Sequence, residues 1–313
     1  MSDPTIIPDH FNKIRVLREK YSILPVNTYN VDEKGFRQGI SDRAKVIVRW
    51  RERGMTAKVA TDGKRELITV IECISGDGQV LPPMIIYKGA GHYMGWYQHL
   101  DPEVVGDYKF VYTSSGWTNQ VLGLEWIKHF DVHTVKQAKG GYRLLIVDDH
   151  NSHINIEFIE FCLASNIIAY CLPSHSTHLL QPLDVGLFSP LQKYYGKQVD
   201  QITRFGNISV TKGNFLPMLV EARRQTYTLS NISGAWRGAG LIPLNPRHVL
   251  SKLPQEPGEK RPAQPVSSPT PGPPPTPRNT SDVHRRVRPA KLLLNSSTEV
   301  PRTELLDLID SLQ

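Results

Sequence analysis

Two short apolar runs separated by an amphipathic segment constrain the fold of this chain most strongly. Residues 143–149 (RLLIVDD) and 167–173 (IIAYCLP) each contain a continuous apolar run of strand length. Such runs are typical of strands buried on both faces. Residues 154–166 (INIEFIEFCLASN) have the spacing of an amphipathic helix. This strand–helix–strand order indicates a sheet that is covered by helices.

The flanking segments extend the same architecture. Residues 26–32 (VNTYNVD) are predicted to form a strand, and residues 66–74 and 79–89 two more strands joined by the turn signal SGDG. Residues 123–137 and 185–202 have helical spacing. Strands therefore come first, followed by alternating helices and strands. This order predicts an α/β fold with a mixed sheet flanked by helices on both faces.

A change in composition near Leu253 sets the predicted domain boundaries. Residues 25–250 are predicted to form one folded domain, preceded by a linker remnant or helix over 1–24. Residues 251–299 are predicted to be a disordered basic tail, because proline crowds this segment and little apolar surface is available for burial. Residues 300–313 are predicted to form a short amphipathic helix.

The bulk composition bounds the function only loosely. A net charge of +7 suggests a polyanionic partner, although a solvated basic face gives the same number. The three cysteines have no CxxC spacing, which disfavours a structural zinc site or a disulfide framework. No apolar run reaches the length of a membrane span, and the polar start is not a secretory signal. We therefore expect a soluble intracellular protein with no membrane partner.

Three aspartates lie at or near the predicted carboxyl ends of strands, where a sheet of this kind binds its ligands. Asp32 ends the first predicted strand, Asp148 ends the strand over 143–149, and Asp184 lies between a strand and the next helix. Open sheets with helical crossovers bind ligands outside the carboxyl ends of their strands. If the strands of Asp32 and Asp148 are neighbours, we expect the three carboxylates to converge there.

A cluster of carboxylates is electrostatically unfavourable unless a cation neutralises it. Magnesium suits such a site because it prefers hard oxygen ligands and keeps positions for water and phosphate oxygens. Each aspartate also has a structural alternative. Asp32 could enter a turn, Asp148 or Asp149 could cap the following helix, and Asp184 could cap a helix that starts at Val185.

The motifs around these aspartates resemble those of one transposase family. The chain is similar to DDE transposases of the pogo and Tigger branch of the Tc1/mariner superfamily, most closely to the fungal members. The resemblance covers most of residues 20–200 in the family's order. The matching phrases are TYNVDEKGF (28–36), GKRELITVIECISGDGQVLPPMIIYKG (63–89), SSGWTNQVLGLEWIKHF (114–130), LLIVDDHNSH (144–153) and LPSHSTHLLQPLDVGLFSPLQKYY (172–195).

The resemblance implies an RNase H-like fold and assigns the catalytic and metal-binding residues. Matched motif by motif, the three acids are Asp32, Asp148 and Asp184, with Mg²⁺ or Mn²⁺ as the cofactor. Asp149 occupies a position where the family usually has glycine. Two such ions activate the attacking oxygen and stabilise the leaving oxygen of a phosphodiester.

Other residues of the matching motifs are predicted to support this site. His153 could orient Asp148 or a phosphate, and a structural role for it is equally open. His178 and Gln181 are predicted to line the cleft near the scissile phosphate, since a zinc site would need a closed ligand set that the segment does not supply. Trp117 of the phrase GWT is interpreted as a core residue.

The implied function is cleavage and joining of DNA phosphodiesters in the nucleus. DNA is the implied partner, bound mostly through phosphates, because only about 25 residues precede the first strand and no helix-turn-helix region fits there. We therefore expect a catalytic core that is a fragment or a decayed copy. The alternative is a domesticated or decayed, non-catalytic DNA-binding protein of the centromere protein B-like lineage. The intact acids favour the enzyme, while activity and a homodimer stay open.

Overall fold

The computed structural model describes the chain in five stretches, namely residues 6–38, 66–91, 100–148, 155–206 and 211–253. The chain divides into two units, Met1–Leu253 and Pro254–Gln313. All described residues belong to the first unit. The predicted tail beyond Leu253 and the predicted helix over 300–313 therefore lie outside the described residues.

Six strands form one mixed sheet in the order β4-β3-β2-β1-β5-β6. The antiparallel pairs are β1–β2 and β2–β3, and the parallel pairs are β1–β5, β5–β6 and β3–β4. This arrangement confirms the α/β fold with an RNase H-like mixed sheet. The strands are β1 (Thr28–Arg37), β2 (Leu67–Ser75), β3 (Met84–Lys88), β4 (Lys109–Thr113), β5 (Arg143–Val147) and β6 (Ile167–Cys171).

Helices occupy the connections and the carboxyl-terminal part of the first unit. The amide side chains of Asn119 and Asn155 accept hydrogen bonds from Leu122 N and Phe158 N, which defines where the third and fourth helices begin. The described helices are α1 (Ile6–Lys20), α2 (Pro102–Val105), α3 (Gln120–Ala138), α4 (Ile156–Ala164), α5 (Thr177–Leu180), α6 (Phe188–Gly206), α7 (Lys212–Thr226), α8 (Leu229–Gly238) and α9 (Pro246–Leu250).

Helices pack on both faces of the sheet, as predicted. On one face Tyr29 of β1 meets Phe130 of α3 edge to face, with ring centroids 5.0 Å apart. On the other face Phe36 of β1 packs against Tyr195 of α6 and Phe215 of α7. Alternate residues of a strand point to opposite faces. Residues 30, 32 and 34 therefore share the face of Phe36.

Two strands differ from the prediction. The prediction that β1 ends at Asp32 is wrong, because antiparallel pairing with β2 continues to Arg37 opposite Leu67. The parallel pairing of β1 with β5 extends only from Thr28 to Asn30. The edge strand β4 lies in a stretch for which no strand is predicted. Its residues are only partly buried, so no clear apolar pattern marks it in the sequence.

The first helix joins the core of this unit through one face. Ile7, Phe11, Ile14 and Leu17 of α1 are buried, and so is His10. The Nδ1 atom of His10 lies 2.9 Å from the Tyr170 hydroxyl of β6. Burial, with a smaller contribution from Lys13, lowers the pKa of His10 to about 3, and Asp9 opposes part of the shift. His10 is therefore neutral in the folded protein.

We predict that His10 makes the fold sensitive to acid. Its folded pKa lies below the unfolded value of 6.5, so the unfolded state binds the proton more readily, and stability falls as pH drops from 6.5 towards 3. At pH 5 this effect reaches about 2 kcal/mol, at about 1.4 kcal/mol per pH unit. Urea unfolding of wild type and His10→Gln between pH 5 and 7 measures it. Equal slopes in the two proteins would contradict it.

Candidate active site

The adjacent parallel strands β1 and β5 bring the first two predicted acids together. Their register aligns Asn30 with Ile146. Asp32 and Asp148 each follow two residues later, so they occupy corresponding positions on one face beyond the end of the parallel pairing. Both residues line the same groove. The expected neighbourhood of the two parent strands is thus confirmed.

The third acid lies in a π-helical turn, Leu183–Leu187, that leads into α6. Asp184 is an exposed residue inside this turn, so it does not cap a helix that starts at Val185. The turn is tied to β1 because Leu183 N donates to Asn30 Oδ1 at 3.0 Å. Single π-helical turns are rare and often occur at functional sites.

A glycine allows the π-helical turn to approach α8 closely. A Cβ atom added to Gly186 would lie 2.7 Å from Ala235 Cβ, which is closer than carbon atoms pack. A side chain at this position would push the turn away from α8. The lack of a side chain at Gly186 therefore helps to set the position of Asp184.

The charges of the other two predicted acids both affect the Asp32 carboxylate. Burial raises the pKa of Asp32 well above its usual range, and the charges of Asp184 and, to a smaller extent, Asp148 raise it further. The backbone N–H of Glu33, 2.8 Å from Asp32 Oδ1, and the Gln181 amide oppose this shift. Like charges have this effect only at short range.

Neighbouring charges also affect the pKa of Asp184. Partial burial of its carboxyl raises the pKa of Asp184, Lys34 lowers it, Asp148 raises it, and His178 lowers it. Lys34 therefore supplies positive charge near this carboxylate, and His178 also acts on it. Together the two shifts place Asp32, Asp148 and Asp184 in one electrostatic cluster.

Two of the predicted supporting residues lie beside the acids, and the others lie outside the described residues. Gln181 is fully buried and acts on Asp32, while the exposed His178 acts on Asp184, so both lie beside the acids. His153 and Asp149 lie outside the described residues. The catalytic roles of all these residues stay predictions.

The interpretation of Trp117 as a core residue is wrong. Its side chain is 56% exposed. It follows Gly116, which has a positive φ of 79° and whose carbonyl accepts a hydrogen bond from buried Thr69. This bond holds the backbone of the turn against β2, so the backbone packs inward and the indole does not. The next residue, Thr118, lines the groove with Asp32.

Two residues of the site are absent from the predicted set. Asn30 is fully buried, and Lys34 acts on Asp184. A signal for both exists in the strand pattern, since Asn30, Asp32 and Lys34 alternate along β1 and share one face. Three polar residues on a helix-covered face of a central strand indicate a site rather than core packing.

A buried ion pair lies beside Asp32 on the same face of the sheet. Glu72 of β2 pairs with Asp32 in the antiparallel register. Arg223 of α7 holds the Glu72 carboxylate in a two-pronged contact, with Nε–Oε1 and Nη2–Oε2 distances of 2.9 and 3.0 Å. It also donates to the Tyr108 hydroxyl and to Leu81 O. Burial raises the pKa of Glu72, and Arg223 opposes this effect.

The described residues contain no ready-made set of three metal ligands. No three His, Cys, Asp or Glu side chains among them stand close enough together to hold one ion as they are placed. Magnesium sites commonly use only one or two carboxylates, with waters and substrate phosphates as the other ligands. Asp32 and Asp148 on one groove, with Asp184 beside them, therefore fit an open site of this kind.

Comparisons with known proteins point to one family. The profile described as "DDE superfamily endonuclease" matches residues 64–236, more than half of the chain. The match contains Asp148 and Asp184 and begins after Asp32.

Curated relatives match parts of the chain. The "MFS-type transporter clz9" of Cochliobolus lunatus is 37% identical over 236 residues, which are 75% of this chain and 25% of that protein. The human "Pogo transposable element with ZNF domain" is 25% identical over 130 residues, 41% of this chain and 9% of that protein. The chain spans a quarter or less of the length of the curated relatives it matches. Across the described part of the chain, no helix combines the length and apolarity that a bilayer crossing needs.

Solved structures of Mos1 transposase also match. The "Crystal structure of the Mos1 Strand Transfer Complex" has a TM-score of 0.48 and 11% identity, over 80% of this chain and 62% of that chain.

We predict that removing the charge of Asp184 lowers the pKa of Asp32. Asp184 has the largest effect on this pKa after burial, so Asp184→Asn is expected to lower it more than Asp148→Asn does. Carboxyl ¹³C titration of aspartate-labelled protein in metal-free buffer measures the change. Glu19→Gln, which removes an exposed charge on α1, is the control. If Asp184→Asn leaves the Asp32 titration unchanged, the two carboxylates do not share a site.

We predict that Arg223→Met destabilises the fold by about 3–5 kcal/mol, because it leaves the fully buried Glu72 without its cation. The double variant Glu72→Met/Arg223→Met is expected to lose much less, since it buries no unpaired charge. Urea unfolding of both variants gives the two free energies. Equal losses would show that packing, not charge, dominates this contact.

Proposed function

Because the chain belongs to the DDE superfamily endonucleases, we propose that it is the catalytic core of a transposase that cleaves and joins DNA phosphodiesters. The observation that carries this proposal is the electrostatic cluster of Asp32, Asp148 and Asp184 beside one groove. Such a cluster costs free energy in the folded protein. It is therefore better explained by a bound cation and substrate than by stability.

We propose that these three aspartates hold Mg²⁺ or Mn²⁺. Their carboxylates are hard oxygen donors. Burial and the neighbouring acids raise the pKa of Asp32 and of Asp184, and a bound divalent cation would offset this by favouring the ionised carboxylates. When bound, the divalent ions lower the pKa of an attacking water or hydroxyl and offset charge on the leaving oxygen.

The protein residues around the acids have separate proposed tasks. The Glu33 N–H donates to Asp32 Oδ1 and so helps to orient that carboxylate. Lys34 places positive charge beside Asp184, where a phosphodiester would approach, and His178 lowers the pKa of the same carboxylate. The buried Gln181 amide lowers the pKa of Asp32 and so favours its ionised form. These groups orient the carboxylates and attract the phosphate backbone.

We propose DNA as the substrate, bound mainly through its phosphates. The chain carries a net charge of +7. Contacts of this kind release counterions, so affinity is expected to fall steeply as salt rises. The homodimer and the nuclear location also stay proposals. Light scattering of the purified protein tests the first, and imaging of the tagged protein in fungal cells tests the second.

We predict that Asp148→Ala abolishes metal-dependent cleavage of double-stranded DNA. A metal site supplies several kcal/mol of transition-state stabilisation, and each 1.4 kcal/mol is tenfold in rate, so the loss should be roughly a thousandfold. Asp32→Ala and Asp184→Ala are expected to behave alike. Cleavage of a labelled duplex with Mg²⁺ or Mn²⁺, and with EDTA as the blank, measures the rates.

The matched control for this assay is Glu19→Gln. Glu19 forms only an exposed ion pair with Arg15, which contributes little to stability. The Glu19→Gln variant should therefore cleave DNA at the wild-type rate. Equal cleavage by wild type and Asp148→Ala would remove the proposed role of the acids. Cleavage that EDTA does not inhibit would do the same for the metal.

A further inference from the structure

The Asn30 side chain makes more contacts around the candidate site than its place in the strand requires. It is fully buried in the middle of the sheet. Its Nδ2 atom donates to Ile146 O at 3.2 Å and lies 3.3 Å from Val31 O. Its Oδ1 atom accepts from Leu183 N at 3.0 Å. One amide thus contacts the backbone of its own strand and of two other segments.

Each of those segments carries one of the three acids. Val31 directly precedes Asp32 on β1. Ile146 lies two residues before Asp148 at the end of β5, and Leu183 directly precedes Asp184 in the π-helical turn. The strand register positions β1 against β5 without help from Asn30. The π-helical turn is outside the sheet, so a contact of another kind must set its position.

We propose that Asn30 is the positioning residue that sets the spacing of the three acids for metal binding. This inference rests on the proposed function of the acids. Asn30 contacts no substrate atom and acts through the backbone next to each carboxylate. Its hydrogen bonds to Ile146 O and from Leu183 N connect the paired strands to the turn and so fix the position of Asp184.

The chemistry of the position calls for an amide of this length. The site needs a donor towards the Ile146 carbonyl and an acceptor towards the Leu183 N–H, and a carboxamide supplies both. Leucine has a similar volume but neither group. It would leave a buried N–H and a buried C=O without their partner, and the turn that carries Asp184 would be free to shift.

The test compares Asn30→Leu with a control on the same strand. Thr28 lies two residues earlier on the same face, is buried, and donates to Leu24 O. Thr28→Val therefore removes one buried hydrogen bond at a distance from the acids. Mn²⁺ is the probe, and its dissociation constant is measured by electron paramagnetic resonance of free Mn²⁺. Urea unfolding in EDTA reports stability separately.

Asn30→Leu is expected to weaken Mn²⁺ binding at least tenfold, while Thr28→Val stays within twofold of wild type. In the cleavage assay the half-saturating Mg²⁺ concentration should rise by a similar factor. The rate at saturating Mg²⁺ should recover most of its wild-type value, because excess metal draws the carboxylates together. If Asn30→Leu does not fold, Asn30→Ala takes its place, with the same expected result.

Three outcomes would overturn the inference, and they distinguish a failure of the positioning role from a failure of the proposed function. If wild type shows saturable Mn²⁺ binding that Asp148→Asn abolishes, but the Asn30 variant binds as tightly as wild type, only the positioning role fails. The same holds if Thr28→Val weakens binding as much as the Asn30 variant. If wild type shows no Mn²⁺ binding that depends on Asp148, the proposed function fails, and the inference fails with it.

Discussion

The parallel pairing of β1 with β5 is the constraint on which the candidate site depends. The pairing stops at Asn30 and Ile146, so both strands extend past it and carry Asp32 and Asp148 outward at matching positions. Antiparallel pairing with β2 supports β1 from the other side up to Arg37. Asp32 is thus anchored within a strand that continues on both sides of it. This support lets the fold hold like charges close together without a flexible loop at the first acid.

The proximity of these carboxylates is reflected in their pKa values. Asp32 and Asp184 both have raised pKa values, and each is affected by the charge of its neighbours. The pair Glu72–Arg223, opposite Asp32 on β2, shows the contrasting arrangement, in which a buried carboxylate has a full cationic partner. Neighbouring carboxylates on one face of the sheet therefore differ in whether a cation of the protein is paired with them. Glu72 has its cation within the protein, whereas burial and neighbouring acids raise the pKa of Asp32 and Asp184, whose oxygens are of the type that a divalent cation binds.

Much of the sheet is predictable because its signals are local. The apolar runs of β5 and β6 and the amphipathic pattern of α4 each reveal their element without knowledge of the rest. The partly buried edge strand β4 and the continuation of β1 past Asp32 are not predictable in this way. Whether a polar strand segment such as EKGFR stays extended depends on its partner strand, which lies some thirty residues away in sequence.

The sequence by itself predicted Asp32, Asp148 and Asp184 as the acids through the resemblance of their motifs, and it determined the order of most elements and the presence of a mixed sheet, because apolar periodicity is a local property of the chain. Only the tertiary structure decided that Asp184 lies in a π-helical turn tied to Asn30, that Trp117 is exposed, and that Glu72 faces Arg223 beside Asp32. These features depend on contacts between segments up to about 150 residues apart. Pairing at such distances is set by the packing of the whole domain, and no local pattern encodes it.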